Sequence, residues 1–348
     1  MSIIRIRLLV LFAIFCGAVL LVIFLFFNSD RINTNPNSFN RIFASHVQKE
    51  LKAYNNGNDA WYISGIENDT AYLAHRKYLN ILLEINMVKA DTSITVIDLP
   101  HYSLKTPKIK VSNKHLLILD GDQPAIYRAS QSNVKQISLI NNKFHFDVAL
   151  PLDDASFALR FLNDKHELTL GRLENNKLTE APNLLQGKGD GIMSRDGMLL
   201  TDIINKKIVY VDYYRNEYLV ADSNMKLLYR GKTKDTTSVA RVSVGKPSED
   251  GRVIMTSPPI ITNKLATLYN NFLFINSALK ADNENEEFFN GSSVIDVYDI
   301  RKGLYKFSFY IPDYKNEKIK EFNVFGDKLI AMFEDQCVIY ELNQKYFK

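Results

Sequence analysis

The stretch HLLILDGDQPAIY, His115 to Tyr127, contains two short apolar runs separated by Gly-Asp-Gln-Pro. Apolar runs of this length on either side of a turn segment are typical of a β-hairpin. The same shape returns at MLLTDIINKKIVY (Met198 to Tyr210) and at KLIAMFEDQCVIY (Lys328 to Tyr340), and in each stretch a Leu precedes the final Tyr by 11 residues. This recurrence predicts a fold that is built from repeated hairpins.

The interval of 11 residues recurs along the chain. In an antiparallel hairpin with an even loop, directly opposed residues are an odd number of positions apart. The leading residues of the pairs are separated by 41 to 74 positions, and the shortest separations match a four-stranded propeller blade. Six such units fit between Asp59 and Asn343. The pairs are Trp61–Tyr72, Leu116–Tyr127, Phe157–Leu168, Leu199–Tyr210, Leu329–Tyr340 and, after removal of a 14-residue insertion, Leu273–Tyr298.

We therefore predict an all-β fold, a six-bladed β-propeller, with rings of five or seven blades as the alternatives. The pattern resembles the six-bladed propellers of the TolB-like and NHL-like kind. The stretches LLYRGKTKDTT and SSVIDVYDIRKGLYKFSFYIPD also resemble a group of uncharacterised, membrane-anchored bacterial propeller proteins. These resemblances rest on blade architecture, and they imply no particular activity.

The amino-terminal region differs from the rest of the chain. Leu8 to Phe27 is a run of 20 residues without a charge, long enough as a helix to span the roughly 30 Å of a bilayer's hydrocarbon core. Arg5 and Arg7 precede it, which predicts a cytoplasmic tail over 1–7 and a single-pass anchor in the inner membrane over 8–27. The remainder is then periplasmic or otherwise extracytoplasmic. A cleaved signal peptide is the alternative, although the run ends in FLFFNSD rather than in small residues.

Between the anchor and the first hairpin the sequence predicts a linking segment over 28–58. It begins with the Asn-rich NSDRINTNPNSFN, which is typical of a tether. Apolar residues then recur at helical spacing, which predicts a short amphipathic helix over Phe39–Tyr54. The propeller itself is predicted to cover 59–348. The apolar residues that carry the helix prediction are Ile42, Phe43, Val47, Leu51 and Tyr54.

Composition and cysteine position argue against two features, a nucleic-acid-binding surface and an intramolecular disulfide. The net charge is only +4, and the basic residues are scattered, which argues against a nucleic-acid surface. Cys16 lies in the apolar run and Cys337 in a strand pattern, so no intramolecular disulfide is predicted. Cys337 is interpreted as a small core residue.

No motif identifies a catalytic centre. The six His residues lack metal-ligand spacing, and neither a Gly-x-Ser-x-Gly elbow nor a phosphate-binding Gly-rich loop is present. Two segments carry candidate sites. The acidic insertion ADNENEEFF supplies oxygen ligands of the type that Ca²⁺ prefers, and YRGKTKDTTS supplies basic and hydroxyl groups for an anion or a partner. The candidate metal ligands are Asp282, Glu284, Glu286 and Glu287, and the candidate partner-binding residues are Arg230, Lys232, Lys234 and Asp235.

Taken together, these features predict a membrane-anchored, extracytoplasmic propeller that recognises a protein, peptide or glycan. Binding is favoured over catalysis because no nucleophile, base or metal set is recognisable. No cofactor is predicted for that function. The alternative is a Ca²⁺-dependent hydrolase of the lactonase or esterase kind, whose ligands would line the central channel.

Overall fold

The computed structural model describes residue 7 and residues 11–23, 37–57, 60–89, 91–99, 104–187, 195–240, 245 and 260–348. Residues 11–23 are helical. Among the described residues, no helix combines the length and the hydropathy that a membrane span requires. Residues 8–10 and 24–27 of the predicted anchor, and residues 28–36 of the predicted tether, lie outside the described residues.

The described strands form six four-stranded antiparallel sheets, and the prediction of six blades is confirmed. Blade 1 contains β2 (Trp61–Glu67), β3 (Thr70–His75), β4 (Ile81–Asn86) and β5 (Thr92–Val96). Blade 2 contains β6 (Lys108–Ser112), β7 (His115–Asp120), β8 (Ala125–Ser130) and β9 (Asn133–Asn141). Blade 3 contains β10 (Val148–Pro151), β11 (Ser156–Leu162), β12 (Leu168–Glu174) and β13 (Lys177–Glu180).

The second half of the ring has the same arrangement. Blade 4 contains β14 (Gly197–Asp202), β15 (Lys207–Asp212), β16 (Glu217–Asp222) and β17 (Leu227–Lys232). Blade 5 contains β18 (Asn263–Tyr269), β19 (Phe272–Ser277), β20 (Ser292–Asp299) and β21 (Leu304–Pro312), with a short helix, Glu286–Asn290, between β19 and β20. Blade 6 contains β22 (Glu321–Phe325), β23 (Lys328–Met332), β24 (Gln336–Leu342) and, from the amino-terminal side, β1 (Gln48–Asn55). A 3-10 turn, Gln344–Tyr346, follows β24.

The core of the protein lies between the blades. Six clusters of buried apolar side chains are present, and each joins two neighbouring blades. The cluster between blades 5 and 6 is rich in aromatic residues, among them Phe274, Phe307 and Phe322. Cys337 is fully buried between blades 6 and 1, in agreement with its interpretation as a core residue, and burial raises the pKa of its thiol to about 12. Each sheet is therefore stable because both of its faces are covered by its neighbours.

The opening stretch forms the predicted hairpin, β7 and β8, and Asp120 holds the turn by accepting hydrogen bonds from the backbone N–H groups of Asp122 and Gln123. The 11-residue interval marks opposed residues in only three of the six pairs. In the opening hairpin Tyr127 faces Ile118 instead of Leu116, because the turn is centred one residue later than that pair requires. The three opposed pairs are Leu199–Tyr210, Leu273–Tyr298 and Leu329–Tyr340.

The amino-terminal segment closes the ring as a strand, so the short amphipathic helix predicted over Phe39–Tyr54 is wrong. Residues 39–47 are irregular apart from a bridge at Phe43, and Gln48–Asn55 pairs antiparallel with β24 as the outer strand of blade 6. A register shift at Leu51 interrupts the strand. A bulge of this kind hides the alternation of period two that identifies a strand. Because the bulge shifts this alternation, the apolar residues on its two sides recur at intervals that resemble those of a helix.

Gly65 marks a point where the first strands of blades 1 and 2 approach most closely. A Cβ at this position would overlap the carbonyl oxygen of Val111. We expect Gly65→Ala to lower the free energy of unfolding by about 1–3 kcal/mol, because two backbones would have to separate. Urea denaturation followed by circular dichroism measures the change.

The matched control is Gly291→Ala, at an exposed turn where the nearest atom to the added Cβ is the Glu287 carbonyl oxygen at 3.2 Å. We expect it to stay within about 0.5 kcal/mol of the unchanged protein. Equal effects of the two substitutions would contradict a special role for the contact at Gly65.

Candidate binding site in the central channel

The first strand of each blade lies nearest the axis of the ring, since the first strands contact one another between most neighbouring blades and all six line the central cavity. Successive strands alternate in direction, so all hairpins between first and second strands lie on one rim. We call this the inner-hairpin rim. The opposite rim, which carries the connections between blades, is the linker rim. The inner hairpins turn at residues 67–70, 112–115, 151–156, 202–207, 269–272 and 325–328.

Asparagines shape two of these inner hairpins. Asn113 and Lys114 in blade 2 both have positive φ, as do Asn270 and Asn271 in blade 5. Two consecutive residues with positive φ form the tight turn that matches the twist of a β-hairpin, and Asn tolerates this conformation better than most residues. The local sequence therefore determines two short turns at the mouth of the channel. Turns this short do not cover the mouth.

A cavity of about 420 Å³ occupies the channel at the inner-hairpin rim. All six blades contribute to its lining, which mixes aliphatic and aromatic side chains with polar and charged ones. A volume of this size falls within the range of small-ligand sites, which are commonly apolar with a few well-placed polar groups. One apolar lining residue from each blade, in order, is Ile66, Val111, Leu150, Leu199, Leu268 and Phe325.

Polar and charged side chains are numerous on this wall, and two carboxylates, Glu67 and Asp202, lie beside the hairpin turns. The Thr267 hydroxyl donates to the Asn323 side-chain oxygen at 2.7 Å, which joins blades 5 and 6 across the lining. Thr201 and Lys110 add a hydroxyl and an ammonium group. Lys110 is the lining residue of blade 2 that lies farthest from the hairpin turn, so its charge belongs to the inner end of the cavity.

Charged residues also lie around Glu321, which interacts electrostatically with the cavity-lining Lys110. Glu321, at the start of β22, accepts a hydrogen bond from the Ile63 backbone N–H at 3.1 Å and interacts electrostatically with Lys108, Lys110 and Arg76. We call these four charged residues the channel charge cluster. It holds three cations and one carboxylate, and therefore carries an excess of positive charge.

Burial governs the titration of two members of the cluster. It raises the pKa of Glu321 above its ordinary value, although the Ile63 N–H and the neighbouring cations act in the opposite direction. It lowers the pKa of Lys110, and the negative charge of Glu321 offsets only part of this effect. Perturbed groups in a concave site are typical of functional positions, although structural ion pairs shift pKa values too.

The basic segment from Arg230 to Asp235 begins in β17, the outer strand of blade 4, and leads toward the linker rim. Arg230 donates to the Leu184 carbonyl oxygen at 2.8 Å, and the Lys234 ammonium lies 5.2 Å from the centre of the Tyr305 ring. Asp235 is buried and accepts hydrogen bonds from Thr233 and from the Thr237 backbone. Lys232 is exposed at the end of β17. The predicted recognition role of these residues stays a prediction, because most of the contacts above fasten the loop itself.

The acidic insertion belongs to the linker rim as well. Glu284 is buried and forms an ion pair with Arg41, and it also accepts a hydrogen bond from the Tyr310 hydroxyl at 2.9 Å. Glu286 pairs with Lys280 at 2.7 Å. Asp282 and Glu287 are exposed. The four residues thus divide between an internal ion pair and the surface, and the calcium site stays a prediction.

The structure also brings the two predicted segments together. The Asn37 side chain donates to the Lys280 carbonyl oxygen at 2.7 Å, and the Thr236 hydroxyl donates to the Asn37 carbonyl oxygen at 2.6 Å. The channel residues, in contrast, were not recognised from the sequence. Lys110 and Glu321 lie 211 positions apart, and the alternation of polar and apolar residues around each of them is typical of any half-buried strand.

Comparison with known proteins supports the fold. No family model and no curated protein matches the sequence significantly. A solved member of the DUF4221 family from Bacteroides vulgatus is similar, with a TM-score of 0.52 and 12% sequence identity over 85% of this chain and 97% of that one. This similarity shows the propeller fold alone.

Two further solved propellers are similar at lower scores. A catalytically inactive virginiamycin B lyase from Staphylococcus aureus, solved with quinupristin, has a TM-score of 0.47 and 12% identity over 85% of this chain and 99% of that one. The calcium-binding protein regucalcin from Agrobacterium tumefaciens has a TM-score of 0.45 and 10% identity over 88% and 94%. Similarity at this level says nothing about the ligand of this chain.

Proposed function

We propose that this chain is a membrane-anchored, extracytoplasmic propeller that binds a peptide segment of another protein in its central channel. The observation that carries the proposal is the cavity of about 420 Å³, which is lined by all six blades and opens at the inner-hairpin rim. Its mixed lining of apolar, polar and charged side chains suits a short peptide segment, which presents both apolar side chains and backbone hydrogen-bonding groups.

The anchoring rests on the uncharged run Leu8 to Phe27 and on the basic residues before it. In the described part of the chain, Asn37 is held against the linker rim by Lys280 and Thr236. The nine residues 28–36 can span at most about 30 Å. An anchor at 8–27 would therefore keep the linker rim near the bilayer, and the channel mouth would face away from the membrane. A partner in the same compartment would then meet an unobstructed mouth.

Site-specific photo-crosslinking in intact cells tests this proposal. A photoreactive amino acid replaces Ile204 at the channel mouth or Val88 on an outer hairpin of blade 1, two aliphatic residues that are each 68% exposed. We expect discrete protein adducts from position 204 and none from position 88. The adducts should be recovered from alkali-washed membranes, since anchored proteins resist that wash.

Two outcomes would contradict the proposal. Equal labelling at both positions, or no adduct at position 204, would argue against a partner at the mouth. Recovery of the whole chain in the alkaline supernatant would argue against the anchor while leaving the binding site in place.

The alternative function, a calcium-dependent hydrolase, stays a prediction. Within the described ranges, no group of three or more His, Cys, Asp and Glu side chains is placed to hold a metal ion. We favour the binding function because the channel cavity on which it rests is present in the described part of the chain.

A further inference from the structure

An apolar patch lies on the outer edge of blade 5. The rings of Phe43 and Phe288 both stack on the ring of Tyr310, with ring centres 4.7 and 6.3 Å apart. Phe288 is 66% exposed, and Ile42, which precedes Phe43, is 63% exposed. Among the described residues from 37 onward, Phe43 and Phe288 are the only exposed phenylalanines. We call Ile42, Phe43, Phe288 and Tyr310 the blade 5 patch, and contiguous apolar exposure of this kind is typical of an interaction surface.

The blade 5 patch is held in place by hydrogen bonds. Two backbone hydrogen bonds with Ser308 in β21 fasten the segment that carries Ile42 and Phe43. The Tyr310 hydroxyl donates to the buried Glu284 at 2.9 Å. The apolar side chains are therefore presented to solvent by a fixed part of the fold.

The blade 5 patch also lies beside the point where the chain leaves toward the predicted anchor. Asn37 precedes Ile42 by five positions, and its side chain donates to the carbonyl oxygen of Lys280, shortly before the helix that carries Phe288. If the chain is anchored as in the proposed function, on which this step rests, residues 28–36 keep Asn37 within about 30 Å of the membrane span. The bilayer is then the apolar medium nearest to the patch.

We propose that the blade 5 patch lies in the interfacial layer of the bilayer that holds the anchor, so that blade 5 is the side of the ring nearest the lipid. Aromatic side chains are favoured in this layer. Four side chains are too few for a stable contact with another protein, which buries about 800 Å² on each partner. A weak contact with lipid is sufficient, because the anchor keeps the patch close to it.

The charges beside the blade 5 patch indicate which lipids it contacts. Asp282, Glu286 and Glu287 are exposed in the insertion that carries Phe288. These carboxylates would be repelled by anionic headgroups, whereas basic clusters are the usual feature of proteins that bind anionic lipid. The contact is therefore apolar, with neutral phospholipid.

Tryptophan fluorescence of the full-length chain in phosphatidylcholine vesicles tests the proposal. Trp61→Phe removes the one native tryptophan. Phe288→Trp then places a probe in the patch, and Ile204→Trp, at a channel-mouth residue that is 68% exposed, is the matched control. Brominated acyl chains should lower the emission of the probe at position 288 about twofold, because an interfacial side chain lies roughly 5–10 Å into the headgroup and acyl boundary. The probe at position 204 should keep its emission.

A second pair of substitutions separates the blade 5 patch from the effect of the anchor alone. Ile42→Ser should lower the quenching at position 288, because one apolar contact with lipid is lost. Leu304→Ser is the matched control, since it removes an aliphatic side chain that is 55% exposed at the other end of β21. It should leave the quenching unchanged, and so should replacement of part of the lipid by phosphatidylglycerol. Thermal unfolding confirms that each variant folds.

The outcomes distinguish this inference from the proposed function. Absence of quenching at position 288 in a chain that resists the alkaline wash would overturn the inference and leave the proposed function in place. Equal quenching at positions 288 and 204, or equal effects of Ile42→Ser and Leu304→Ser, would also overturn it. Discrete protein adducts from a photoreactive residue at position 288 would assign the patch to a protein partner instead. A chain that the alkaline wash removes, but that lipid quenches at position 288, would contradict the anchor and support the contact; a chain that is removed and not quenched would contradict both.

Discussion

A chain that begins at residue 56 is expected not to fold, whereas a chain that begins at residue 37 is expected to fold like the full-length protein. The segment 37–55 contains β1, which pairs along the whole length of β24 and completes blade 6. It also supplies Val47 to the buried cluster between blades 5 and 6. Without it, the edge of β24 and part of that cluster would be exposed to water.

We expect the loss to amount to at least about 5 kcal/mol, which is comparable with the whole stability of many domains. Size-exclusion chromatography and circular dichroism on the two truncated chains measure it. A synthetic peptide of residues 37–55 should restore folding when added to the shorter chain, and a scrambled peptide should not. Cooperative unfolding of the shorter chain within about 1 kcal/mol of the longer one would contradict closure by β1.

Arg41→Met is expected to lower the free energy of unfolding by about 3–5 kcal/mol. Arg41 donates two hydrogen bonds to the Asp296 carboxylate, at 2.7 and 3.0 Å, and forms an ion pair with Glu284. The three side chains are at most 3% exposed. Burial opposes the charge of Arg41, but the two carboxylates outweigh burial and raise the pKa of its guanidinium. Removal of the cation would leave two buried carboxylates without a positive charge beside them, although the Tyr310 hydroxyl would still donate to Glu284 and the Ser308 hydroxyl to Asp296.

Urea denaturation of Arg41→Met and of a matched surface variant measures the effect. The control is Lys315→Ala, which removes an ion pair of 3.4 Å with Asp335 whose side chains are 58% and 41% exposed. We expect that control to cost less than about 1 kcal/mol. Adding Glu284→Gln to Arg41→Met should recover part of the loss, because it removes one of the unpaired charges. Similar losses for Arg41→Met and Lys315→Ala would contradict the importance of the buried network.

The buried ion pair between Arg41 and Glu284 also explains why the predicted calcium site could not be judged from the sequence. Glu284 was selected because four acidic residues lie close together in the chain, a pattern typical of a hard-cation site. Its partner, Arg41, lies 243 positions earlier, in a segment that was predicted to be a helix. No local pattern connects the two residues. Only the route of the chain along blade 5 shows that this carboxylate is already paired.

The channel residues were missed for a related reason. The stretch KIKVS was correctly interpreted as a strand, but nothing in it distinguishes an innermost strand from an outer one. The position of Lys110 at the axis depends on its being in the first strand of blade 2, and the 11-residue interval does not record strand order. It joins the first and second strands of blade 4 at Leu199–Tyr210 and the second and third strands of blade 6 at Leu329–Tyr340.

By itself the sequence determined the class of fold and favoured six blades over five or seven, because hairpins are local and their turn residues and apolar runs recur in order along the chain. It also determined the burial of Cys337 within a strand. Only the tertiary structure decided how the ring closes, which strands face the axis, and which charges meet. These features depend on contacts between residues such as Lys110 and Glu321, or Arg41 and Asp296, that are more than 200 positions apart. Hydrophobic periodicity carries no information about such pairs, since it reports only which face of a strand is buried.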